Sequence, residues 1–445
     1  VSSPKNKLQP GTVLKQLPRA SYYHVAFSGG VDSHVLLHLL VGQRDALPGR
    51  LAAVHVNHHI QQHSGDWEVH CRSVCEELDV PCRFLRVDGK ARRGESPEAA
   101  ARTARYQALA DWLPLDGVLL TAQHQDDQAE TLLLQLLRGA GPKGLAAMPV
   151  EADLGNGRLV RPLLDFRRAD ILDYAHQHRL CWVEDPSNTD TRYDRNLLRH
   201  RVMPELQQHW PGLSKVLARA ARHQADQLEL ADALAAQDCA SCRSPDEGLS
   251  LSGLRVFSQA RQRNLIRFQV AKLGLPLPSQ AILDRILEEV LASREDASPC
   301  VHWPGAEVRR FHDQLFIMTP LPVQDPASCY AWDLRDPLVL EQAGGVLSVN
   351  SVAGKGLCIP AGSGDVQVRF RQGGECLQPA GRGHHHRLKK LFQEWQVPDW
   401  ERERVPLVYQ GEQLVAVAGF CVCEGFQAGV NEQGLGLHWS RMPES

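Results

Sequence analysis

The sequence predicts an α/β fold: a parallel sheet with helices on both faces, then a mainly helical middle domain and a small β-rich C-terminal domain. Three observations carry this. Between residues 21 and 138, short apolar runs alternate with stretches of helical periodicity, the pattern of βαβ units. From Leu213 to Ala292 the periodicity is mainly helical. Beyond a break at Pro320, Pro322 and Pro326, short β-type runs are separated by glycines. A chain of 445 residues is too long for one core, and the expected domains are 1–212, 213–322 and 323–445.

Composition narrows the class. An apolar fraction of 43% with 23% charged residues is that of a soluble globular protein. A net charge of −3 means that any nucleic-acid surface must be a local patch. No apolar run approaches the roughly 20 residues of a membrane helix, and Val1–Leu17 lacks a signal-peptide segment. The expectation is a cytoplasmic protein with no membrane partner. Twelve scattered cysteines read as reduced thiols. Cys239-Ala-Ser-Cys242 has zinc-like spacing but no second pair near it, and a zinc site needs about four ligands.

The first strand, His24–Phe27, runs into Ser28-Gly29-Gly30-Val31-Asp32-Ser33, and a helix follows over Val31–Val41. Glycines let backbone approach a ligand closely. Free N–H groups at the helix start, with the Ser28 and Ser33 hydroxyls, form a donor site for phosphate oxygens. The other strands are Leu51–Asn57, Arg83–Val87 and Gly117–Ala122; the other helices are Ser64–Leu78, Ser96–Trp112 and Asp126–Leu137. In such sheets ligands sit beyond the strands' carboxyl ends, so Ser28, Asn57, Asp88 and His124 should face one crevice. The Asn57-His58-His59 stretch reads either as a base or ribose contact or as a polar loop. On the third helix Glu98 and Arg102 are four apart and suit an exposed pair; Arg102 and Arg105 also suit phosphate.

The fourth strand leads into Thr121-Ala-Gln-His-Gln-Asp-Asp-Gln-Ala-Glu-Thr131. Asp126, Asp127 and Glu130 cluster at a helix start, where acids also serve as caps or dipole partners. Facing a phosphate loop, they suit Mg²⁺ or a cationic substrate. Arg192, Arg195 and Arg199 share a helical face and suit phosphate or RNA. Helices are expected at Leu213–Gln237, Gly253–Leu273 and Ser279–Ala292, and strands at Cys300–Trp303 and Val308–Ile317. Near the C-terminus Arg382, Arg387, Lys389 and Lys390 have no acid among them. A helix from Arg387 would turn Leu388, Leu391 and Phe392 inward and its lysines outward. His384, His385 and His386 are consecutive and cannot all face one ion.

Ser-Gly-Gly-Val-Asp-Ser after a strand resembles the PP-loop of the ATP pyrophosphatase superfamily, which splits ATP into AMP and pyrophosphate. The wider set, His124 to Thr131, Arg138-Gly-Ala-Gly141, Arg161-Pro-Leu-Leu164, Glu184-Asp-Pro-Ser-Asn188, Arg195-Asn196 and Arg199, resembles the tRNA(Ile)-lysidine synthetases, as do Lys389-Lys390-Leu391 and Arg404-Val-Pro-Leu407. That family carries a second histidine where this chain has Gln123. The resemblance implies that ATP adenylates the wobble cytidine of a tRNA(Ile) with a CAU anticodon. The amine of free L-lysine then displaces AMP, and codon reading changes from AUG to AUA.

The resemblance further implies ATP contacts at Ser28, Gly29, Gly30, Val31, Asp32, Ser33 and Asn57. Catalytic roles fall on Asp32, His124, Asp126, Asp127 and Glu130, with lysine held by Asp126, Asp127 and Glu130. Mg²⁺ falls to Asp32 and Asp127, with Asp32 alternatively orienting the loop. Contacts to tRNA fall to Arg195, Arg199, Arg382, Arg387, Lys389 and Lys390. His124 suits either proton acceptance or orientation, and a homodimer is compatible with the reading. Three other readings compete, the first an amide-forming PP-loop ligase, which needs an ammonia source although the sequence shows no glutaminase signature. A tRNA thiolase needs cysteines at the crevice, whereas Cys71, Cys75 and Cys82 lie in or after the second helix. A non-catalytic RNA-binding module would release no AMP.

Overall fold

In the computed structural model the described residues are 8–57, 64–87, 97–243, 248–294, 297–359 and 366–442. His58, His59 and Asp88 lie outside them, as does the side chain of Glu98. The chain divides into two compact units, Val1–Ala231 and Asp232–Ser445.

In the first unit a short helix α1 (Pro10–Leu14) precedes β1 (Tyr22–Ala26), α2 (Val31–Val41), β2 (Arg50–Asn57) and α3 (Ser64–Glu77). Next come β3 (Cys82–Arg86), α4 (Pro97–Trp112), β4 (Gly117–Leu120) and α5 (Gln125–Leu137). These are the alternating elements expected from the sequence. After them follow α6 (Pro142–Leu145), β5 (Glu151–Leu154), β6 (Gly157–Val160), α7 (Arg168–Gln177), α8 (Asp194–Leu197), a π turn over Leu198–Val202, α9 (Met203–His209) and the start of α10 (Leu213–Ser241).

The sheet order is β3-β2-β1-β4-β6-β5. The chain steps outward from β1 through β2 to β3, then returns to the other side of β1 at β4. That reversal opens a crevice between the carboxyl ends of β1 and β4, the place where open α/β sheets bind ligands. Central position explains the composition of β1 and α2. Tyr23, His24 and Val25 are all buried, and eight residues of α2 are buried around its circumference. The sheet departs from the all-parallel expectation at one edge. β5 runs antiparallel to β6 through a Gly155-Asn156 turn, with Gly155 at φ +55°.

In the second unit one core joins α11 (Leu251–Arg255), α12 (Gln259–Lys272), α13 (Gln280–Arg285) and the π turn Ile286–Leu291 to a four-stranded sheet. Its strands are β7 (Leu249–Ser250), β8 (Cys300–Trp303), β9 (Ala306–Phe311) and β10 (Gln314–Met318). Two expectations are corrected here. The helix expected over Gly253–Leu273 is two helices, because Ser258 is extended and starts α12. The strand expected over Val308–Ile317 is a hairpin, because His312 adopts φ +52° and turns the chain. Cys239 and Cys242 pack in this core, and among the described residues no group of three side chains is set to hold a metal ion.

The β-rich remainder holds β11 (Cys329–Trp332), β12 (Leu338–Leu340), β13 (Gly345–Ala353), β14 (Val366–Arg369), β15 (Cys376–Leu377) and β16 (His386–Arg387). Then come α14 (Leu388–Glu394), α15 (Asp399–Arg402), β17 (Leu407–Gln410), β18 (Gln413–Val417), β19 (Cys421–Val422) and β20 (Gln433–Arg441). Leu388, Leu391 and Phe392 of α14 are buried, while Lys389 and Lys390 are exposed, as the pattern requires. Among the described residues no helix is long and apolar enough to cross a membrane.

His24 sits in β1 with both ring nitrogens buried and unpartnered, its edge against Trp112 at a centroid distance of 4.7 Å. Burial holds its pKa below the ordinary histidine value, and the same cause lowers His34 and His55. A depressed folded-state pKa means that protonation favours the unfolded chain. The contribution to stability is complete above about pH 6.5 and is lost as pH falls through the lowered values. Thermal unfolding should therefore drop between pH 7.5 and 5. His24→Leu should lose less over that interval and unfold no earlier than the parent at pH 7.5, since it removes an unsatisfied polar group. Calorimetric scans at the two pH values check both.

Candidate active site

The loop after β1 is shaped by one residue. Gly29 has φ +84°, and a Cβ there would lie 3.0 Å from Cys71 Sγ on α3. Glycine therefore answers two demands at once, a left-handed backbone and a close approach. The loop is closed by its own serines: Ser28 Oγ and Ser33 Oγ are 3.1 Å apart, Ser33 Oγ donates to the Gly30 carbonyl at 3.0 Å, and Ser28 N–H donates to Ser33 Oγ. Gly30 caps α2 without a side-chain hydrogen bond, so the first N–H groups of α2 have no side-chain cap.

Across the crevice, His124 caps α5. Asp127 N–H donates to His124 Nδ1 at 3.3 Å, and His124 N–H donates to Asp127 Oδ2 at 3.1 Å, a reciprocal box. An Nδ1 that accepts puts the ring proton on Nε2. Nε2 lies 3.4 Å from Asp127 Oδ2 and 3.9 Å from Asp32 Oδ2, so one buried imidazole faces both carboxylates. The two acids differ in state. Burial pushes the Asp32 carboxyl up, and its Oδ1 is buried with no partner. Burial also acts to raise Asp127, but His124, Arg195 and Arg199 outweigh it and hold that carboxyl below its usual range.

Arg195 and Arg199 complete the site from α8 and the π turn. Arg195 Nε donates to Glu130 Oε2 at 2.9 Å; Arg199 Nε donates to Glu130 Oε1 at 2.7 Å, and its Nη2 reaches Asp127 Oδ1 at 2.7 Å. Read from sequence, these acids and arginines are separate binding groups; in the structure they are partners. Arg192 does not share their face: it precedes α8 and pairs with Asp190.

A cavity of about 250 Å³ opens over the loop, and its lining has two halves. Ser28, Asp32, Ser33, Asp127 and Arg195 form a polar half, while Val54, Val56, Tyr106 and Leu109 form an apolar wall. The guanidinium of Arg102 lies 5.0 Å from the Tyr106 ring, and that of Arg105, also in the lining, 5.7 Å. The sequence reading gave no role to Val54, Val56, Tyr106 or Leu109, although Tyr106 follows Arg105 directly and Leu109 stands one helical turn beyond it. Gln123 lines the cavity and accepts from Thr121 Oγ1 at 2.5 Å.

Three other expected site residues are turned elsewhere. Asp126 accepts from Arg168 N–H at 2.9 Å and from Ser214 Oγ at 2.5 Å, tying α5 to α7 and α10. Glu130 is enclosed by the two arginines, with 3% of its side chain exposed. Asn57 is buried and donates to Glu68 at 3.3 Å. In the second unit Arg382 pairs with Glu394 at 2.7 Å, while Arg387, Lys389 and Lys390 are exposed.

Comparison with known proteins agrees with this geometry. A PP-loop domain family matches residues 5–206, a TilS substrate binding domain 249–316, and a TilS substrate C-terminal domain 366–439. A tRNA(Ile)-lysidine synthase of Coxiella burnetii is 42% identical over 95% of this chain and 94% of its own length. That of Serratia proteamaculans is 42% identical over 96% and 98%, and that of Methylococcus capsulatus 43% over 94% and 96%.

The charge network makes a stability prediction. Glu130→Gln leaves two guanidiniums facing a neutral amide beside a single carboxylate. Removing one partner of a buried ion pair costs about 3 kcal/mol, so the variant should unfold at markedly lower denaturant concentration with an unchanged slope, read by urea titration.

Proposed function

Because the chain belongs to the tRNA(Ile)-lysidine synthase family, we propose that its crevice carries out both steps of lysidine formation, with ATP over the Ser28–Ser33 loop. The family forms lysidine on tRNA(Ile), and its PP-loop domain uses ATP. The observation that carries the residue assignment is the two-sided cavity: phosphate donors and Asp127 in its polar half, an aromatic and aliphatic wall in the other. Adenine suits the Val54, Val56 and Tyr106 wall. The triphosphate suits the loop amides, the two serine hydroxyls and Arg195.

In the first step the ring carbonyl oxygen of the wobble cytidine attacks the α-phosphorus and pyrophosphate leaves. The loop donors receive the charge that builds on phosphate. The acids fit Mg²⁺: Asp32 offers a buried oxygen without a partner, and Asp127 stands beside it. Magnesium bound there would supply charge neutralisation at the phosphates.

In the second step the lysine ammonium gives a proton to water, the neutral amine forms a bond to the activated ring carbon, and the carbon–oxygen bond to AMP breaks with AMP taking the electron pair. A carboxylate offers about four lone-pair sites, so Asp127, although already bonded, can still receive the lysine ammonium from the cavity side. Glu130 acts behind it by fixing the arginines, and Asp126 by fixing the helix. His124, with Nδ1 committed to a backbone N–H, orients Asp127 and directs its Nε2 proton at the acids. The exposed Arg387, Lys389 and Lys390 serve the tRNA backbone. Modules of 1–212, 213–322 and 323–445 would divide catalysis from RNA binding, and a cytoplasmic setting supplies all three substrates. Every group invoked comes from one chain, so the reading needs no second copy.

Two measurements test this. AMP release by the purified protein should require both tRNA(Ile) bearing a CAU anticodon and lysine, and Asp32→Ala should abolish it; release without lysine or tRNA would refute the reading. Lys389→Glu with Lys390→Glu should weaken tRNA binding and flatten its dependence on salt by about one to two phosphate contacts. Filter binding across a salt series reads both quantities.

A further inference from the structure

The basic surface of the C-terminal module carries an aromatic feature that phosphate binding does not use. Trp395 and Phe420 are stacked, with ring centroids 5.0 Å apart and planes at 17°. Phe392 lies beneath both, edge-on, at 6.0 and 6.1 Å. The three rings differ in burial. Phe392 is fully buried and does the work of the core, whereas Phe420 is 40% exposed.

Position makes that exposure unusual. Phe420 stands in the three-residue turn between β18 and β19, where polar residues and glycine are the ordinary choice. Gly419 beside it takes φ +75°, and Phe420 N–H returns to the Val417 carbonyl at 3.0 Å, so the ring is held on a closed turn. Trp395 is held as firmly. It ends α14, and Gln396 at φ +53° with Val397 N–H donating to the Phe392 carbonyl seals the helix end.

The charge around the shelf has one sign in excess. Arg382 reaches Glu394, the residue before Trp395, at 2.7 Å. The turn that leads to it lies against β19, with Ala380 N–H bonded to the Val422 carbonyl at 2.9 Å and Gly381 N–H to Glu424 at 3.0 Å. Four basic residues, Arg382, Arg387, Lys389 and Lys390, thus stand against Glu394 and Glu424. Lys389 and Lys390 stand exposed on the same short helix that ends in Trp395. A rigid aromatic face beside a basic surface is the arrangement that binds single-stranded nucleic acid, one base per ring face.

We propose that Phe420, backed by Trp395, is a stacking shelf for an unpaired base of the tRNA substrate. This rests on the reading that the C-terminal module grips tRNA. The base would extend the existing stack on the exposed side of Phe420, and the lysines of α14 would hold the adjoining backbone. The ring gives contact without base-edge reading, so the shelf senses that a nucleotide is unpaired and not which nucleotide it is.

The test is a set of Phe420 variants of the full chain. Phe420→Leu keeps an apolar side chain of similar size and removes the aromatic face. It should weaken binding of tRNA(Ile) transcript by about tenfold, with the salt slope and melting temperature unchanged, because no phosphate contact is lost. Phe420→Trp should restore the affinity. Binding of a blunt, fully paired RNA duplex of two strands should be the same for Phe420→Leu and the parent. The shelf is refuted if Phe420→Leu binds tRNA as the parent does, if the loss is equal for the paired duplex, or if Phe420→Trp fails to rescue. The Lys389 and Lys390 reversal separates the two levels. If it weakens binding while Phe420→Leu does not, the shelf alone fails; if neither changes binding, the module's role in gripping tRNA fails with it.

Discussion

The site is organised by a charge balance between two turns of helix that are far apart in sequence. Asp127 and Glu130 on α5 meet Arg195 and Arg199, more than sixty residues later, in a partly buried four-residue network. None of the four has a stable place alone, since a desolvated charge without a counter-charge is costly. Together they fix the end of α5 against α8, and that in turn fixes His124 and Asp127 opposite the loop after β1. The π turn at Leu198–Val202 belongs to the same arrangement: it carries Arg199 between the residues that precede and follow it in the helical run.

The first half of the molecule was largely legible because its signals are local. A glycine pair after an apolar run, alternating periodicity and strand-end polar residues located β1, α2, β4 and α5 without knowledge of any contact. The rest depends on pairing, which has no short-range signature. Asp126 and Asp127 are adjacent and chemically identical, yet one turns to Ser214 and Arg168 and the other to the cavity. Helical spacing cannot separate their tasks, because each depends on what packs against α5. The same holds for Arg192 and Arg195, three residues apart, of which only the second reaches an acid across the crevice.

Where local expectations failed, a backbone detail was responsible. His312 in the left-handed region turned one strand into two, and Gly155 made an antiparallel edge on an otherwise parallel sheet. A Gly-Asn pair between two short segments is a hairpin signal that the sequence does carry. A histidine at φ +52° is not, since tertiary packing chooses it. In the C-terminal module the outcome was the reverse: the helix at Leu388 followed from periodicity alone, with its lysines outward.

The sulfur behind the loop has an electrostatic consequence. Cys71 stands against Gly29, beneath the amides that face the crevice, and burial raises its thiol to about 12. At neutral pH it is therefore an uncharged filler, and it adds no negative charge behind the loop amides. A thiolate at that spot would cancel part of that attraction and would also be a nucleophile. The protein avoids both by keeping the atom dry, which separates this crevice from one that must carry reactive sulfur.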